Sequence, residues 1–505
     1  MNTANAASKP DASRSYDVAI IGAGLGGLIT AAKLKQAGID RIVVFERADD
    51  LGGVWRANRY PNVACDTPID LYAISFFLGR NWSTNFAPGN EIWAYLNEFA
   101  DHYDVRPSIE FRTEVASAIW DDDKALWAIE TKDGRAYTSR FLVWAGGLLS
   151  RPVVPNVLGK DLFKGEMLHT TAWSDKISLE GKSVAVVGGG ATAIQVTPYA
   201  AGHAKKAYVF VRTPSYVLPR PDLFFAVEDR ESPEFAAGQN ERREEWFRLF
   251  EKIAEARFPM NSELIAQQEG EWRKHFDKEI HDPSLREILT PNYRFGCKRP
   301  LFSNDYYPAM RRPNVEVIGS GVTALTESGI VDQDGKSYPV DAIIWATGFD
   351  TAHMLGGLEI AGRGGQTLEV FWRELPQAYY GTLVKGFPNL FLINGPNVSG
   401  ASATDFIEGQ VTLIVEAITS MAESGARTVE VSDEIYDAYN RDIQRRASDS
   451  VLVLGNCSSW YRAGGDGAVF THWPGTIELF RAKIKGDARA GLAFDVNEKA
   501  TEETS

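Results

Sequence analysis

Two stretches of the chain show the same order of apolar and polar positions. In each, a run of apolar residues predicts a buried strand, a glycine cluster predicts a tight turn, and a longer mixed run predicts a helix. The first stretch is YDVAIIGAGLGGLITAAKLKQAG, and the second is SVAVVGGGATAIQVTPYAA. These patterns predict an α/β chain that contains two similar units.

The glycines of both turns have GxGxxG spacing, with alanine in the third place of the second unit. The positions are Gly22, Gly24 and Gly27 in the first unit, and Gly188, Gly190 and Ala193 in the second. Glycine lets the backbone turn tightly and approach a pyrophosphate, which then sits on free N–H groups at the helix start. One such pattern is weak evidence, but two in one register predict two dinucleotide-binding, Rossmann-like domains.

The strand that follows each helix ends in a residue of opposite charge. Glu46 lies 24 residues after Gly22, and Arg212 lies 24 residues after Gly188. A carboxylate can hold ribose hydroxyls but repels a 2′-phosphate, whereas arginine binds such a phosphate through paired hydrogen bonds. The sequence therefore predicts FAD in the first unit and NADP in the second.

An internal repeat supports a split arrangement of the two domains. The segments DGRAYTSRFLVWAGG and DGKSYPVDAIIWATG align without gaps, and each predicts a turn, a short strand and a buried strand that ends in small residues. The NADP domain is therefore expected to be inserted in the FAD domain. The expected boundaries are 16–150 plus 345–490 for the FAD domain, 151–344 for the NADP domain, and 1–15 and 491–505 for two disordered tails.

Within the NADP domain, residues 221–290 differ in composition and predict a helical insertion. The run ERREEWFRLFEKIAEARF places apolar residues on one helical face amid charges. That face consists of Trp246, Phe247, Leu249, Phe250 and Ile253. An amphipathic helix packed on the core and a lid over a substrate cavity both fit this pattern.

Composition and charge narrow the classes of function. With 505 residues, 44% of them hydrophobic, the chain is typical of a globular enzyme of two or three domains, and its net charge of −14 argues against a nucleic-acid partner. No apolar run of membrane-spanning length occurs, and residues 1–15 lack the apolar core of a signal peptide, so neither a membrane span nor a signal peptide is expected. Cys65, Cys297 and Cys457 are far apart and lack metal-ligand spacing, which predicts no disulfide framework, no metal site and a cytoplasmic location.

Four further motifs lie outside the glycine loops. They are FKGEMLHTTAW (163–173), GGVWRANRYPNVACD (52–66), CKRPLFSNDYYPAM (297–310) and FVRTP (210–214). They resemble motifs of the class B flavoprotein monooxygenases, and within them the Baeyer–Villiger monooxygenases, and the resemblance runs along most of residues 16–480. The first motif matches the family signature FxGxxxHxxxW. The second departs from GGxWxxNRYPGxxCD chiefly at Asn62, where glycine is usual.

The resemblance implies an NADPH- and FAD-dependent enzyme that inserts one oxygen atom of dioxygen next to a ketone carbonyl, giving an ester or lactone. It makes Arg299 the active-site arginine, whose guanidinium remains charged and stabilises negative charge on oxygen. It makes Asp66 the partner of Arg299, although a turn cap is the alternative role. His169 is expected to hydrogen-bond across the domain junction and to couple the two coenzymes, with Phe163 and Trp173 as packing anchors; a simple packing role is the alternative.

Other residues are expected to contact the cofactors. They are Val54, Trp55, Asp66, Tyr72, Val115, Ala191, Thr192, Arg212, Thr213 and Lys298. Trp55 and Tyr72 fit a flavin border or core packing equally well, and Lys298 fits a second cation for the 2′-phosphate or a surface lysine. By resemblance, Trp460 and Trp473 are expected to reach the cofactor cavity, within a segment that fits a mobile loop or an ordinary surface loop.

Alternative functions remain open at this point. A monooxygenase of amines or sulfides would use the same cofactors, and a flavoprotein scaffold would bind FAD only structurally, although Arg212 argues against the scaffold. A pyridine-nucleotide disulfide reductase requires a redox cysteine pair, which the scattered cysteines exclude. The expected partners are a small ketone and dioxygen, and the sequence does not decide between a monomer and a homodimer.

Overall fold

The computed structural model describes residues 14–79, 81–174, 176–230, 232–400 and 402–495. Its strands are β1 (Ser15–Ile21), β2 (Ile42–Phe45), β3 (Ile109–Glu110), β4 (Val115–Asp121), β5 (Leu126–Thr131), β6 (Ala136–Trp144), β7 (Glu166–His169), β8 (Ser183–Val187), β9 (Lys206–Phe210), β10 (Val217–Leu218), β11 (Leu301–Phe302), β12 (Val315–Ile318), β13 (Val322–Thr326), β14 (Gly329–Asp332), β15 (Ser337–Pro339), β16 (Ala342–Trp345), β17 (Glu359–Ala361), β18 (Leu390–Leu392), β19 (Thr428–Val431) and β20 (Leu492–Asp495). Its α-helices are α1 (Leu25–Gln36), α2 (Val54–Ala57), α3 (Ile69–Tyr72), α4 (Gly89–His102), α5 (Ala191–His203), α6 (Pro233–Arg257), α7 (Ser262–Glu279), α8 (Pro283–Leu289), α9 (Tyr306–Met310), α10 (Leu368–Phe371), α11 (Ala403–Ser424), α12 (Asp433–Ser448), α13 (Val451–Leu454) and α14 (Ile477–Gly486).

The larger sheet combines a parallel half with an antiparallel meander. Its order is β17-β4-β5-β6-β1-β2-β3, and β18 also pairs with β6. Strand β1 is parallel to both β2 and β6, and its residues Val18, Ala19 and Ile20 are fully buried. Strands β4, β5 and β6 pair antiparallel, so the long β6 belongs to both halves of the sheet. The apolar run at the start of the first glycine motif is therefore a central strand of this sheet, as parallel pairing favours.

The second sheet repeats the arrangement with other strands. Its order is β12-β9-β8-β16-β7, and all of its neighbouring strands are parallel. Because β8 and β16 come from segments that lie between the two parts of the first sheet in sequence, the second domain is inserted in the first. The predicted fold class is confirmed: an α/β chain with two Rossmann-like domains, one inserted in the other, and a helical insertion.

The internal repeat adopts the same turns in both domains. Gly134 and Gly335 have φ values of +83° and +79°, and Gly147 and Gly348 have φ values of +73° and +83°. This left-handed conformation is open to glycine at little steric cost. In both copies the first of these glycines precedes a strand of an antiparallel meander, β6 in the first domain and β15 in the second, which pairs with β14.

Helices α6, α7 and α8 form the helical insertion. On the predicted apolar face of α6, Trp246 packs edge to face against Phe86 of the first domain, with ring centroids 6.2 Å apart, and Phe250 is buried. Leu249, Phe250 and Ile253 of the same helix line the large cavity described below. Helix α6 therefore both packs on the body of the protein and forms a wall of the cavity. None of the helices in the described ranges is long and apolar enough to cross a membrane.

The expected terminal tails need a correction at the carboxyl end. The sequence interpretation begins a disordered tail at residue 491, but β20 pairs antiparallel with β19, with Leu492 opposite Val431 and Asp495 opposite Thr428. Backbone pairing and the packing of Phe494 against the core order this segment. At the other end Ser15 already begins β1. Residues 1–13 and 496–505 lie outside the described residues.

The expectation of no disulfide is wrong. Cys297 and Cys457 are bonded, with their Cα atoms 6.2 Å apart although 160 residues separate them in sequence, and Cys65 is free and buried. The sequence argument considered only local spacing, whereas tertiary folding brings the segment before β11 against the segment after α13. This bond removes one ground for a cytoplasmic location, because stable disulfides are rare in reducing compartments.

Alkylation of the denatured protein tests the pairing of the cysteines. Without reduction, one of the three cysteines should react with iodoacetamide, and peptide mapping should identify it as Cys65. After reduction all three should react. In Cys457→Ser, Cys297 loses its partner and should react without reduction. Three reactive cysteines in the unreduced wild-type protein would contradict the disulfide.

Candidate functional site

A cavity of about 1870 Å³ joins the two glycine loops and is walled by both domains and the helical insertion. Most of the predicted site residues line it. They are Gly22, Gly24, Glu46, Val54, Trp55, Asp66, Tyr72, Val115, Gly188, Gly190, Ala191, Thr192, Arg212, Thr213, Lys298 and Arg299. Two predicted residues, Gly27 and His169, do not belong to its wall.

The first glycine loop is shaped by close backbone approach. Gly22 has a φ of +107°, and a Cβ atom there would lie 2.6 Å from the carbonyl oxygen of Ala145. A Cβ atom on Gly27 would lie 1.9 Å from the carbonyl oxygen of Gly22, so Gly27 serves the packing of α1 against β1 and not the cavity. Only glycine fits both places, which leaves the backbone around Gly24 open toward the cavity.

Glu46 is held rigidly at the end of β2. One carboxylate oxygen accepts a hydrogen bond of 2.9 Å from the backbone N–H of Ala23, and the other accepts one of 2.8 Å from that of Ala48. An ionised carboxylate has about four acceptor positions, so two remain for ribose hydroxyls. The buried but cavity-lining Glu46 therefore fits the ribose of a dinucleotide on the first loop.

The second glycine loop carries a pair of cations. Gly188 has a φ of +147°, and a Cβ atom there would lie 2.3 Å from the carbonyl oxygen of Ala346, so the loop again requires glycine. Arg212 and Lys298 both line the cavity, and neither has an acidic partner among the described residues. Burial and then the charge of Arg212 lower the pKa of Lys298. Two neighbouring unpaired cations fit a phosphate group, as the sequence interpretation proposed for the NADP domain.

Arg299 and Asp66 form an ion pair in the cavity. Nη2 of Arg299 donates to Oδ1 of Asp66 at 2.8 Å and to Oγ1 of Thr67 at 2.9 Å, and the backbone N–H of Arg299 donates to the hydroxyl of Tyr461 at 3.3 Å. Burial lowers the pKa of Arg299, but Asp66 together with Tyr461, Cys65 and Tyr72 outweighs that effect, and the pKa lies above its ordinary value. The guanidinium is therefore a permanent positive charge that faces the cavity.

Trp55 and Tyr72 form one wall close to this ion pair. Nε1 of Trp55 donates to the hydroxyl of Tyr72 at 2.9 Å, and the rings meet edge to face, with centroids 5.7 Å apart. In the same sequence motif as Trp55, Asn62 has a φ of +66°. Asparagine tolerates this left-handed conformation, which explains how it stands where the resembling motif has glycine.

His169 lies at the junction where the chain crosses between the domains. Its Nδ1 accepts a hydrogen bond from the backbone N–H of Thr171 at 3.3 Å, so Nε2 carries the proton and donates to the carbonyl oxygen of Gly348 at 3.1 Å. The same oxygen accepts from the backbone N–H of Val153 at 3.0 Å. Burial lowers the pKa of His169 and keeps the ring neutral.

The hydrogen bond from His169 therefore joins two segments: the one near Val153, where the chain leaves the first domain, and the one near Gly348, where it returns. The two crossings also pair antiparallel at Pro152 and Phe349. The ring of Phe349 meets that of His169 edge to face at 5.7 Å between centroids. Of the two expected packing anchors, Phe163 is buried in the core of the second domain, and Trp173 contacts Tyr199.

Sequence reasoning missed three residues of the cavity and wrongly expected a fourth residue to reach it. Tyr461 and His472 line the cavity, and only their aromatic, glycine-rich segment pointed to them. Arg257 also lines it, at the end of the run that was considered only for its apolar face. Trp460 reaches the cavity as expected, but Trp473 does not: it is buried against Tyr380 and Phe480 and donates to the carbonyl oxygen of Thr476. Among the described residues, no cluster of three or more metal-ligating side chains occurs.

The fold and the site define a flavoprotein that also binds a second dinucleotide, and comparisons with known proteins agree. Residues 15–225 match the family model described as flavin-binding monooxygenase-like. The chain is 36% identical over 477 residues to a Baeyer–Villiger monooxygenase of Pseudomonas aeruginosa, covering 94% of this chain and 90% of that protein. A Baeyer–Villiger monooxygenase of Streptomyces coelicolor is 35% identical over 471 residues, with coverage of 93% and 90%.

Solved structures show the same similarity. A steroid monooxygenase bound to NADP superposes with a TM-score of 0.85 at 31% identity, covering 95% of this chain and 99% of the other. A complex of OTEMO with FAD and NADP has a TM-score of 0.84 at 27% identity, with coverage of 95% and 99%. The chain belongs to the Baeyer–Villiger monooxygenase family, and it is an FAD-dependent NADPH monooxygenase.

The position of His169 leads to a specific prediction about coupling. His169→Ala should lower the amount of oxygenated product per NADPH consumed by about fivefold, because one neutral hydrogen bond of about 1 kcal/mol at the domain junction is lost. FAD content should stay at the wild-type level, since His169 is outside the cavity wall.

Two further variants serve as controls for this prediction. His169→Gln keeps a donor toward Gly348 and should recover much of the coupling. His203→Ala removes an exposed histidine at the end of α5 and should change nothing. Equal losses of FAD and of activity in His169→Ala would contradict a junction role.

Proposed function

We propose that this protein inserts one oxygen atom of dioxygen beside the carbonyl group of a small ketone, giving an ester or lactone. In this proposal Arg299 stabilises the negative charge that develops on oxygen. The observation that supports this proposal is the Arg299–Asp66 ion pair in a cavity shared by two dinucleotide loops. FAD bound on the first loop would supply the redox chemistry, taking electrons from NADPH and activating dioxygen.

The role proposed for Arg299 follows from its charge and position. Oxygen insertion beside a carbonyl places negative charge on oxygen, first on the attacking group and then on the former carbonyl oxygen. A guanidinium cannot lose its proton under physiological conditions, so it stabilises both without taking part in proton transfer. Asp66 and Thr67 hold the guanidinium by hydrogen bonds to the same nitrogen. We therefore propose Arg299 as the stabilising cation and Asp66 as the residue that orients it.

The coenzyme assignments rest on charge. Glu46 at the end of β2 would hold the ribose of FAD, and Arg212 with Lys298 would bind the 2′-phosphate of NADPH. A carboxylate at the position of Arg212 would repel that phosphate, whereas two cations attract it. NADPH is accordingly the proposed electron donor, in preference to NADH.

Partners and location complete the proposal. A small ketone and dioxygen are the proposed partners; no nucleic acid is included, because the net charge is −14. We propose the cytoplasm as the location, since NADPH is supplied there. The Cys297–Cys457 disulfide is unusual for that compartment. The alkylation experiment above tests whether this disulfide forms.

Product identification with substitution of Arg299 tests the proposed reaction. Wild-type protein should consume NADPH and convert a ketone to an ester that carries one atom of isotopically labelled dioxygen. Arg299→Ala should lower ester formation by about 10²- to 10³-fold, the usual cost of removing a preorganised donor. FAD content should be retained, because Glu46 and the glycine loop are untouched.

Two comparisons decide the interpretation of that experiment. Arg311→Ala removes an arginine that pairs with Glu279 on the surface, and it should retain full activity. A thioether assayed in parallel with the ketone distinguishes the proposed ketone oxygenation from the alternative function, the oxygenation of sulfides or amines. Sulfoxide as the only oxygenated product, or ester formation unaffected in Arg299→Ala, would overturn the proposal.

A further inference from the structure

Arg257 is a second guanidinium in the cavity, and among the described residues it has no ion-pair partner. It is the last residue of α6 and lines the cavity. Its Nε and Nη2 atoms are shielded from solvent and have no hydrogen-bond partner among the described residues. Burial and the charge of Arg299 hold the pKa of Arg257 at about 10, low for arginine but well above neutrality. The side chain is thus a half-buried, charged donor with two shielded nitrogen atoms, and it lines an open cavity.

No neighbouring carboxylate neutralises this charge. Asp66 is engaged by Arg299, and Glu251, on the same helix, accepts hydrogen bonds from the backbone N–H groups of Ile477 and Glu478. Glu255 is exposed and forms no ion pair in the described part of the chain. The region around Arg257 therefore has an excess of positive charge.

Other titratable groups nearby do not supply the missing negative charge. Burial and then the charges of Arg257 and Arg299 hold the pKa of His472 well below its usual range, so its ring is neutral. Burial raises the pKa of Tyr461, so its hydroxyl stays protonated. The carboxyl end of α6 offers only the partial negative charge of a helix terminus.

A buried unpaired guanidinium is costly, and an anionic ligand would remove that cost. The phosphate groups of the coenzymes have their own proposed sites at the two glycine loops and at Arg212 with Lys298. The remaining occupant of the cavity is the substrate. Helices α6 and α7 present the apolar Phe250, Ile253 and Leu264 to the cavity, beside polar side chains such as Gln267 and Gln268. A hydrocarbon body with one anionic group matches this wall.

We propose that Arg257 binds a carboxylate group of the substrate, so that the preferred substrates are ketones that carry a carboxylate, that is, oxo acids. This inference rests on the proposed oxygen insertion beside a ketone. Arg257 would fix the distal end of the molecule, and Arg299 would face its carbonyl group. Carboxylate binding by a guanidinium is charge-assisted and can be bidentate, which gives orientation as well as affinity.

A matched pair of substrates tests the proposal on the FAD-loaded enzyme. The pair is 4-oxocyclohexanecarboxylate and 4-methylcyclohexanone, which differ in the charged group and share the ring and the carbonyl. Wild-type kcat/KM should favour the oxo acid. Arg257→Met should lower kcat/KM for the oxo acid by about 10- to 100-fold, the range expected for one hydrogen-bonded charge pair. The value for the neutral ketone should change by less than about threefold.

Two other variants control for charge and for folding. Arg257→Lys keeps the positive charge and should recover part of the preference for the oxo acid. Arg248→Met removes an exposed arginine of the same helix, one that pairs with Glu244, and should leave the preference unchanged. Equal losses for both substrates in Arg257→Met, or no preference in the wild-type enzyme, would overturn the proposal.

Calorimetric titration of the oxidised, FAD-loaded enzyme with 4-oxocyclohexanecarboxylate separates this inference from the proposed reaction. Affinity that falls by about 10-fold or more in Arg257→Met supports the carboxylate site. Such binding, without product from any ketone, would overturn the proposed reaction and retain the site. Product from neutral ketones, without binding that depends on Arg257, would overturn the site alone. Loss of NADPH affinity in Arg257→Met would assign Arg257 to the coenzyme and also overturn it.

Discussion

The Arg299–Asp66 ion pair is the interaction on which the site depends, because it joins two domains as well as two charges. Asp66 precedes α3 of the first domain, and Arg299 precedes β11 in the second. Their 2.8 Å hydrogen bond requires the present relative position of the two domains. A displacement of one domain would thus remove the cation from the cavity or leave it unpaired. The position of the charge and the arrangement of the domains are therefore linked.

Contacts on both sides of Arg299 maintain that position. The disulfide anchors Cys297, two residues earlier, to the segment after α13, and Tyr461 from the same part of the chain accepts the backbone N–H of Arg299. At the domain junction His169 joins the two crossings through the carbonyl oxygen of Gly348. These contacts are remote from one another in sequence, yet each limits how the second domain can move against the first.

The parts of this structure that could be predicted from sequence are those set by short-range rules. The roles of the GxGxxG glycines follow from local backbone geometry. The positions of Glu46 and Arg212 follow from the register of one βαβ unit. The disulfide, the contact of Tyr461 with Arg299 and the burial of Trp473 arise from tertiary packing over long separations, for which spacing carries no signal. Motif resemblance placed Asp66 beside Arg299, a contact that their separation of 233 residues conceals.

The charge of the cavity differs from the net charge of the whole chain. The protein carries a net charge of −14, which repels anions at long range. Inside the cavity, however, Arg212, Lys298 and Arg257 are cations without acidic partners in the described part of the chain, whereas others, such as Arg299 with Asp66, are paired. Salt screens exposed charges more than buried ones. If the proposed sites hold, anionic ligands would therefore be selected at short range, by groups that gain acidic partners only when a ligand binds.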